Sequence, residues 1–283
     1  MSAGPFGAHP QARPGAGRRV LVTGAAGTIG RTACAGLAAR GWRVRGLDRR
    51  PLAGVDGLSD PDGAVVADLH DAAALTRALS DVDAVLHLAG IPAEAPFADI
   101  LSANVDGTYR VLDAARRAGV RRFVYASSNH AVGYTPRMEL AGEDLPIRPD
   151  TYYGVSKAFG EALGRMYVDR YGMEFVALRI GSWVPEPSTP RHLATWLSPS
   201  DGVRLISAAL SAPDVDFAIA YGISANTRGW WDLSSARALG YHPTDDAEEF
   251  AAEVIRKHGE PDPADPELAL LGGDFTGPGY DAP

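Results

Sequence analysis

Cysteine is nearly absent from this sequence, and the one occurrence, Cys34, excludes an intramolecular disulfide. It lies in a helical stretch of small residues, the setting of a packed side chain, and a reducing, cytoplasmic compartment suits it. Long apolar runs are missing too. No uninterrupted stretch is long enough to span a bilayer, and residues 1 to 17, rich in Gly, Pro and Ala, lack the apolar centre of an export signal. Basic charge is in deficit: 27 Lys and Arg stand against 35 Asp and Glu, a formal charge of -8. With no long basic run, the electrostatic footprint of a nucleic-acid binder is excluded. Membrane and nucleic acid therefore drop out as partners, and nothing suggests metal-ligand spacing. What is present is 46% hydrophobic residues over 283 positions, enough for a sizeable core in one or two closely packed domains.

Apolar segments of strand length alternate with helical patterns. Val20-Leu21-Val22 runs into a glycine cluster, and a helix is expected from Gly27 to Arg40. Strands follow at Trp42 to Leu47, Ala64 to Ala67, Ala84 to Leu88 and Phe123 to Ala126, with helices near Asp71 to Leu79 and Ile100 to Ala118. This rhythm predicts an α/β fold with a doubly wound parallel sheet covered on both faces. A long helix from Tyr152 to Tyr171 and a strand at Phe175 to Leu178 nearly complete that sheet. Beyond it, two or three helices and a strand near Phe217 to Tyr221 read as a small C-terminal lobe. The divisions expected are a disordered tail at 1 to 17, a nucleotide-binding domain at 18 to 180, a substrate-binding lobe at 181 to 259 and a surface tail at 260 to 283.

The cluster TGAAGTIG sets Gly24, Gly27 and Gly30 between the first strand and its helix, with Thr28 and Ile29 between the last two glycines. Glycine there permits a tight turn and close approach to a pyrophosphate, which the free amides and dipole of the helix N-terminus attract. Position makes this a dinucleotide site rather than a plain turn. Asp48 ends the second strand 18 residues after Gly30, where a carboxylate accepts both ribose hydroxyls and repels a 2′-phosphate. That favours NAD over NADP, although Arg49 and Arg50 follow directly. Asp68 and Leu69 end the third strand near the adenine, and Leu88, Ala89 and Gly90 end the fourth along the cofactor.

Tyr153 and Lys157, four residues apart in DTYYGVSKAFGE, share one helix face, and Ser128 ends the fifth strand in YASSNHAVG. At these strand and helix ends the three converge beside the nicotinamide. Tyr153 is then the general base, Lys157 lowers its pKa and binds the nicotinamide ribose, and Ser128 orients the substrate hydroxyl.

TGAAGTIG, the strand-end aspartates, NVDGTYRVLDAAR, SSN and YGVSK together resemble an extended short-chain dehydrogenase/reductase of the NAD-dependent epimerase/dehydratase type, which implies a Rossmann fold. In that superfamily the position of Asn104 helps hold a proton-relay water. ASSNHAVGY, YGVSKAFGEALGRMY, LRIGSWVPEPSTPRHLATWLS and ISANTRGWWD are similar to the uronate dehydrogenases. That narrower resemblance implies oxidation of D-glucuronate or D-galacturonate at the anomeric carbon, giving an aldaro-lactone and NADH. It implies that Ser128, Asn129 and His130 hold sugar hydroxyls, that Ser182 lies by the cofactor and that Arg191 grips the carboxylate. Arg suits the last role through its bidentate fork. The resemblance also implies assembly into a homo-oligomer. One departure is Pro92, where relatives can carry a small hydroxyl residue that reaches the substrate and proline cannot donate. Trp230 and Trp231 read as lobe core. The alternatives are a sugar-nucleotide epimerase or dehydratase, disfavoured by the short chain after residue 180, and a non-catalytic NAD(P)-binding regulator, disfavoured by the intact Ser128, Tyr153 and Lys157 set.

Overall fold

Seven runs of mostly aliphatic residues form the strands of one wholly parallel sheet in a computed structural model that describes residues 17–60, 63–262, 265–277 and 280. The tail expected to be disordered lies, apart from Gly17, outside the described residues. In chain order the elements are β1 (Arg19–Thr23), α1 (Thr28–Ala38), β2 (Arg43–Asp48), β3 (Ala64–Val66), α2 (Ala72–Ala78) and β4 (Ala84–His87). Then come α3 (Phe97–Ile100), α4 (Gly107–Arg117), β5 (Arg122–Ser128), α5 (Tyr152–Tyr171) and β6 (Glu174–Ile180). After them lie β7 (Ser182–Trp183), α6 (His192–Thr195), β8 (Trp196–Leu197), α7 (Pro199–Ser211), β9 (Phe217–Gly222), α8 (Ser234–Ala238), α9 (Ala251–His258) and α10 (Pro266–Ala269).

The strand order is β3-β2-β1-β4-β5-β6-β9, so the chain winds outward from β1 in one direction and then from β4 in the other. The carboxyl ends of β1 and β4 flank the reversal point, the place where such sheets bind ligands. Successive side chains alternate between two cores. Val20 and Val22 face one of them, with Leu37 of α1 and Leu205 and Ile206 of α7. Leu21 faces the other, with Leu75 of α2, Val111 and Leu112 of α4 and Tyr167 of α5. Both faces being covered explains why the strands read as nearly continuous apolar runs.

Three sequence expectations change. The strand near Phe217 to Tyr221 is β9, paired in register with β6, and it closes the sheet instead of belonging to a lobe. The unit β6-α7-β9 continues the βαβ rhythm, which the insertion at 181–198 had masked. The single helix expected over Ile100 to Ala118 begins as α3, widens into a π turn at Leu101–Asp106 and resumes as α4. That widened turn carries the buried Asn104, and such bulges tend to mark functional positions. Finally, the stretch after 260 does not simply lie on the surface. Leu268 and Leu271 are buried with Val132, Trp230 and Trp231 in a satellite core.

Candidate active site

At the cofactor end, Gly24 takes φ 72°, and a Cβ there would sit 2.8 Å from the Ala89 nitrogen, so the turn after β1 packs directly on the segment leaving β4. A Cβ on Gly30 would lie 2.8 Å from the Ala25 Cα, which fixes how closely α1 approaches the turn. Where α2, α5 and α7 are capped by Asp71, Thr151 and Ser198, α1 starts at Gly27 with no side-chain cap and no acidic residue in its first turn. Its leading amides, at Thr28 and Ile29, are thus suited to an external anion, which is what the pyrophosphate of NAD requires. Asp48 is buried beside this turn: Ala26 N donates to Oδ2 at 2.9 Å and Arg50 N to Oδ1 at 2.9 Å. The Arg50 guanidinium lies 3.4 Å from the same carboxylate, while Arg49 is exposed. Asp68 is exposed and accepts from His70, whose backbone and ring bonds hold its carboxyl below the ordinary range. Leu69 is half-buried against Gly107, Leu88 and Ala89 are half-buried, and Gly90 borders Asn104. These residues line one strand-end rim.

Beside that rim, the N-cap Thr151 starts α5 so that Tyr153 and Lys157 face β5. Ser128 at the end of β5 lies close enough to the Tyr153 hydroxyl to favour its ionised form, which opposes the effect of burial. Burial nevertheless wins and pushes the phenol up to about 12, so Tyr153 holds its proton at neutral pH. Lys157 Nζ donates to the Ala126 carbonyl at 2.7 Å and lies 5.3 Å from the centre of the Tyr153 ring. Burial brings the Lys157 ammonium down to about 8. The net direction at Tyr153 is therefore upward, against the lowering expected from its lysine.

Asn129, His130 and Arg191 gather next to this trio. His130 Nδ1 meets the fully buried carboxylate of Asp150 at 2.6 Å, its ring lies edge-on to Tyr153, and it stacks on Phe275 at 4.1 Å. Asn129 Nδ2 donates to the Leu271 carbonyl at 2.9 Å, and Arg191 Nη2 donates to the same oxygen at 2.5 Å. Two residues 62 positions apart in sequence thus share one main-chain acceptor. Ser182, half-buried on β7, is 2.8 Å from the Thr195 hydroxyl. Pro92 is exposed. Trp230 and Trp231 are buried in the satellite core rather than set on the rim.

Sequence reasoning missed four contributors. Phe275 and Leu271 come from the C-terminal stretch, whose Pro-rich composition hid its docking. Glu94 accepts from Tyr152 N at 3.2 Å and Tyr153 N at 2.9 Å. Asn104, expected to help hold a proton-relay water, accepts from Ile91 N at 2.7 Å and donates to the Ile91 carbonyl and the Ser156 hydroxyl. His87 lies between the Thr23 and Thr108 hydroxyls and is fully buried. Among the described residues no cluster of His, Cys, Asp and Glu could hold a metal ion, and no helix is long and apolar enough to cross a membrane.

Comparison with known proteins adds relatives that match along nearly their whole length. The chain is 44% identical to the uronate dehydrogenase of Agrobacterium fabrum over 92% of its own length and 97% of the relative. It is 42% identical to the uronate dehydrogenase of Pseudomonas syringae pv. tomato, covering 92% and 94% of the two chains. Among solved structures, a mutant uronate dehydrogenase from Agrobacterium tumefaciens complexed with NAD is 44% identical, with a TM-score of 0.85 over 92% of this chain and 97% of that one. The sequence pattern of the NAD dependent epimerase/dehydratase family matches residues 20–214, from within β1 to just past α7. Because that span takes in every strand end on which the rim is built, the chain belongs to the NAD dependent epimerase/dehydratase family.

Proposed function

We propose that this chain is an NAD-dependent uronate dehydrogenase, oxidising D-glucuronate or D-galacturonate at the anomeric carbon to the aldaro-lactone. The observation that carries the reading is the convergence of Ser128, Tyr153, Lys157, Asn129, His130 and Arg191 at one end of β5, beside a glycine turn fitted to a dinucleotide. The similarity to uronate dehydrogenases over nine-tenths of the chain supports the substrate class.

Bound NAD supplies the hydride acceptor. Asp48 holds the adenosine ribose hydroxyls, with Asp68, Leu69 and the segment Leu88 to Gly90 along the rest of the cofactor and Ser182 beside it. Ser128 fixes the anomeric hydroxyl and Tyr153 removes its proton as C1–H leaves with its electron pair. Lys157 would hold the nicotinamide ribose and stabilise the phenolate that serves as the base, formed once Tyr153 has given up its own proton to solvent and returned to the phenol when the substrate proton is taken. Asn129 and His130 hold ring hydroxyls, the latter oriented by Asp150. Arg191 grips the carboxylate, for which a planar guanidinium fork is suited. A cytoplasmic setting and assembly of like copies belong to the same reading.

The test is NADH formation with glucuronate, galacturonate and their neutral parent sugars, each with NAD and NADP. Turnover of uronates alone with NAD is expected. Equal turnover of the neutral sugars would remove the carboxylate role of Arg191, and silence on both uronates would overturn the substrate. Tyr153→Phe is expected to lower turnover by roughly two to four orders of magnitude.

A further inference from the structure

The loop between β4 and α3 reaches across to α5 and grips it at the residue that matters most. Glu94, half-buried in that loop, offers one carboxylate oxygen to Tyr152 N at 3.2 Å and the other to Tyr153 N at 2.9 Å. These are the first two amides of a helix that cannot satisfy them internally. Thr151 takes the third through its hydroxyl, accepting from Gly154 N at 3.0 Å, and its carbonyl accepts from Val155 N at 2.9 Å. The carbonyl of Tyr153 is held as well. Ser156 Oγ donates to it at 2.6 Å and itself accepts from Asn104 Nδ2 at 3.1 Å, and Asn104 is bonded to both polar atoms of Ile91 in the same loop. Phe97, just beyond the loop, packs edge-on against Tyr152 at 5.2 Å.

We infer that Glu94 is a positioning residue for Tyr153: it sets the helix register that brings the phenol to Ser128, from a loop 59 residues away in sequence. This rests on the proposed role of Tyr153 as the base. A carboxylate suits the site because it is acceptor-only and bidentate, so it meets two parallel N–H groups, and its charge complements the helix N-terminus. The effect is geometric: the charge that raises Tyr153 from nearby is that of Asp150. Catalytic geometry is unforgiving, and a displacement of about 1 Å can cost about a hundredfold in rate.

The experiment compares Glu94→Ala, Glu94→Gln and Glu94→Asp with the unmodified chain and with Tyr153→Phe, after circular dichroism and NADH binding have established that each is folded. Glu94→Ala is expected to lower kcat about tenfold to a hundredfold, leaving KM for the sugar and the midpoint of the pH profile nearly unchanged. Gln keeps the reach and one acceptor oxygen, whereas Asp keeps the charge and loses the reach. A positioning role therefore predicts that Gln recovers more activity than Asp. Near-normal kcat in the Ala variant, or Asp surpassing Gln, or a displaced pH profile, overturns the inference. Should an Ala variant fail to fold, the order of Gln and Asp decides. An inactive Tyr153→Phe beside a normal Glu94→Ala removes only the positioning role, while an active Tyr153→Phe removes the assignment of the base.

Discussion

At the residue scale the core of the site contains a histidine that stays neutral. His87, at the end of β4, sits 2.7 Å from the Thr23 hydroxyl and 3.1 Å from that of Thr108. Burial, and then the charge of Lys157, push it down from 6.5 to about 3. The unfolded chain consequently binds more protons than the folded one between pH 6.5 and 3. Stability from this group is complete above 6.5 and is lost as the pH falls through that window, by roughly 5 kcal/mol at most. His87→Gln keeps hydrogen-bonding groups without titrating, so its melting temperature should fall less steeply with acid than that of the unmodified chain. Superimposable acid limbs in thermal melts would refute this. The sequence displayed His87 only as the last residue of a strand. Its neutrality follows from the two threonines and the closed core around it, which no local pattern records.

At the element scale, α5 is tied to the sheet by a buried charged pair. Arg179 on β6 meets both oxygens of Glu161 at 2.9 Å, Ser127 on β5 donates to Glu161 at 2.6 Å, and the Tyr221 hydroxyl on β9 completes the group. Arg179→Met leaves a buried carboxylate without its cation and should cost about 3–5 kcal/mol, whereas Glu161→Leu with Arg179→Met should restore much of the loss. Chemical denaturation of the single and double variants measures both, and an additive double variant would contradict the pairing. The C-terminal stretch is the other decisive element. Ending the chain before Pro266 removes the carbonyl that Asn129 and Arg191 share and the ring under His130. Losing about 1–3 kcal/mol of satisfied hydrogen bonding there should raise half-saturation by the sugar roughly tenfold and leave NADH affinity largely intact. An unchanged response to the sugar would show that the stretch only covers the rim. The extent of helix α5, Tyr152 to Tyr171, was legible in the sequence, whereas its caps, Thr151 and Gly172, emerged only with the structure. The docking of 266–275 was not legible, because short Pro- and Gly-rich segments carry no periodicity.

For the whole molecule, the proposed function puts a dinucleotide across the carboxyl ends of β1 and β4, where it would bind the folded chain and not the unfolded one. NAD at a hundred times its dissociation constant should therefore add about 2.7 kcal/mol and raise the melting temperature by a few degrees. NADP at the same concentration should give a smaller shift because of Asp48, and Asp48→Ala should narrow the gap. Equal shifts with the two cofactors would show that Arg50 offsets the carboxylate. Alternating strands and helices, the glycines between β1 and α1, Asp48 at its strand end and the spacing of Tyr153 and Lys157 were all determined by the sequence itself, because each depends on neighbours within a turn or two. The placement of β9 at the sheet edge, the Glu94 cap on α5, the shared acceptor at Leu271 and the protonation of Tyr153, Lys157 and His87 were decided only by tertiary structure. Those features depend on groups distant in the chain and on how completely packing excludes water, and local sequence holds no measure of either.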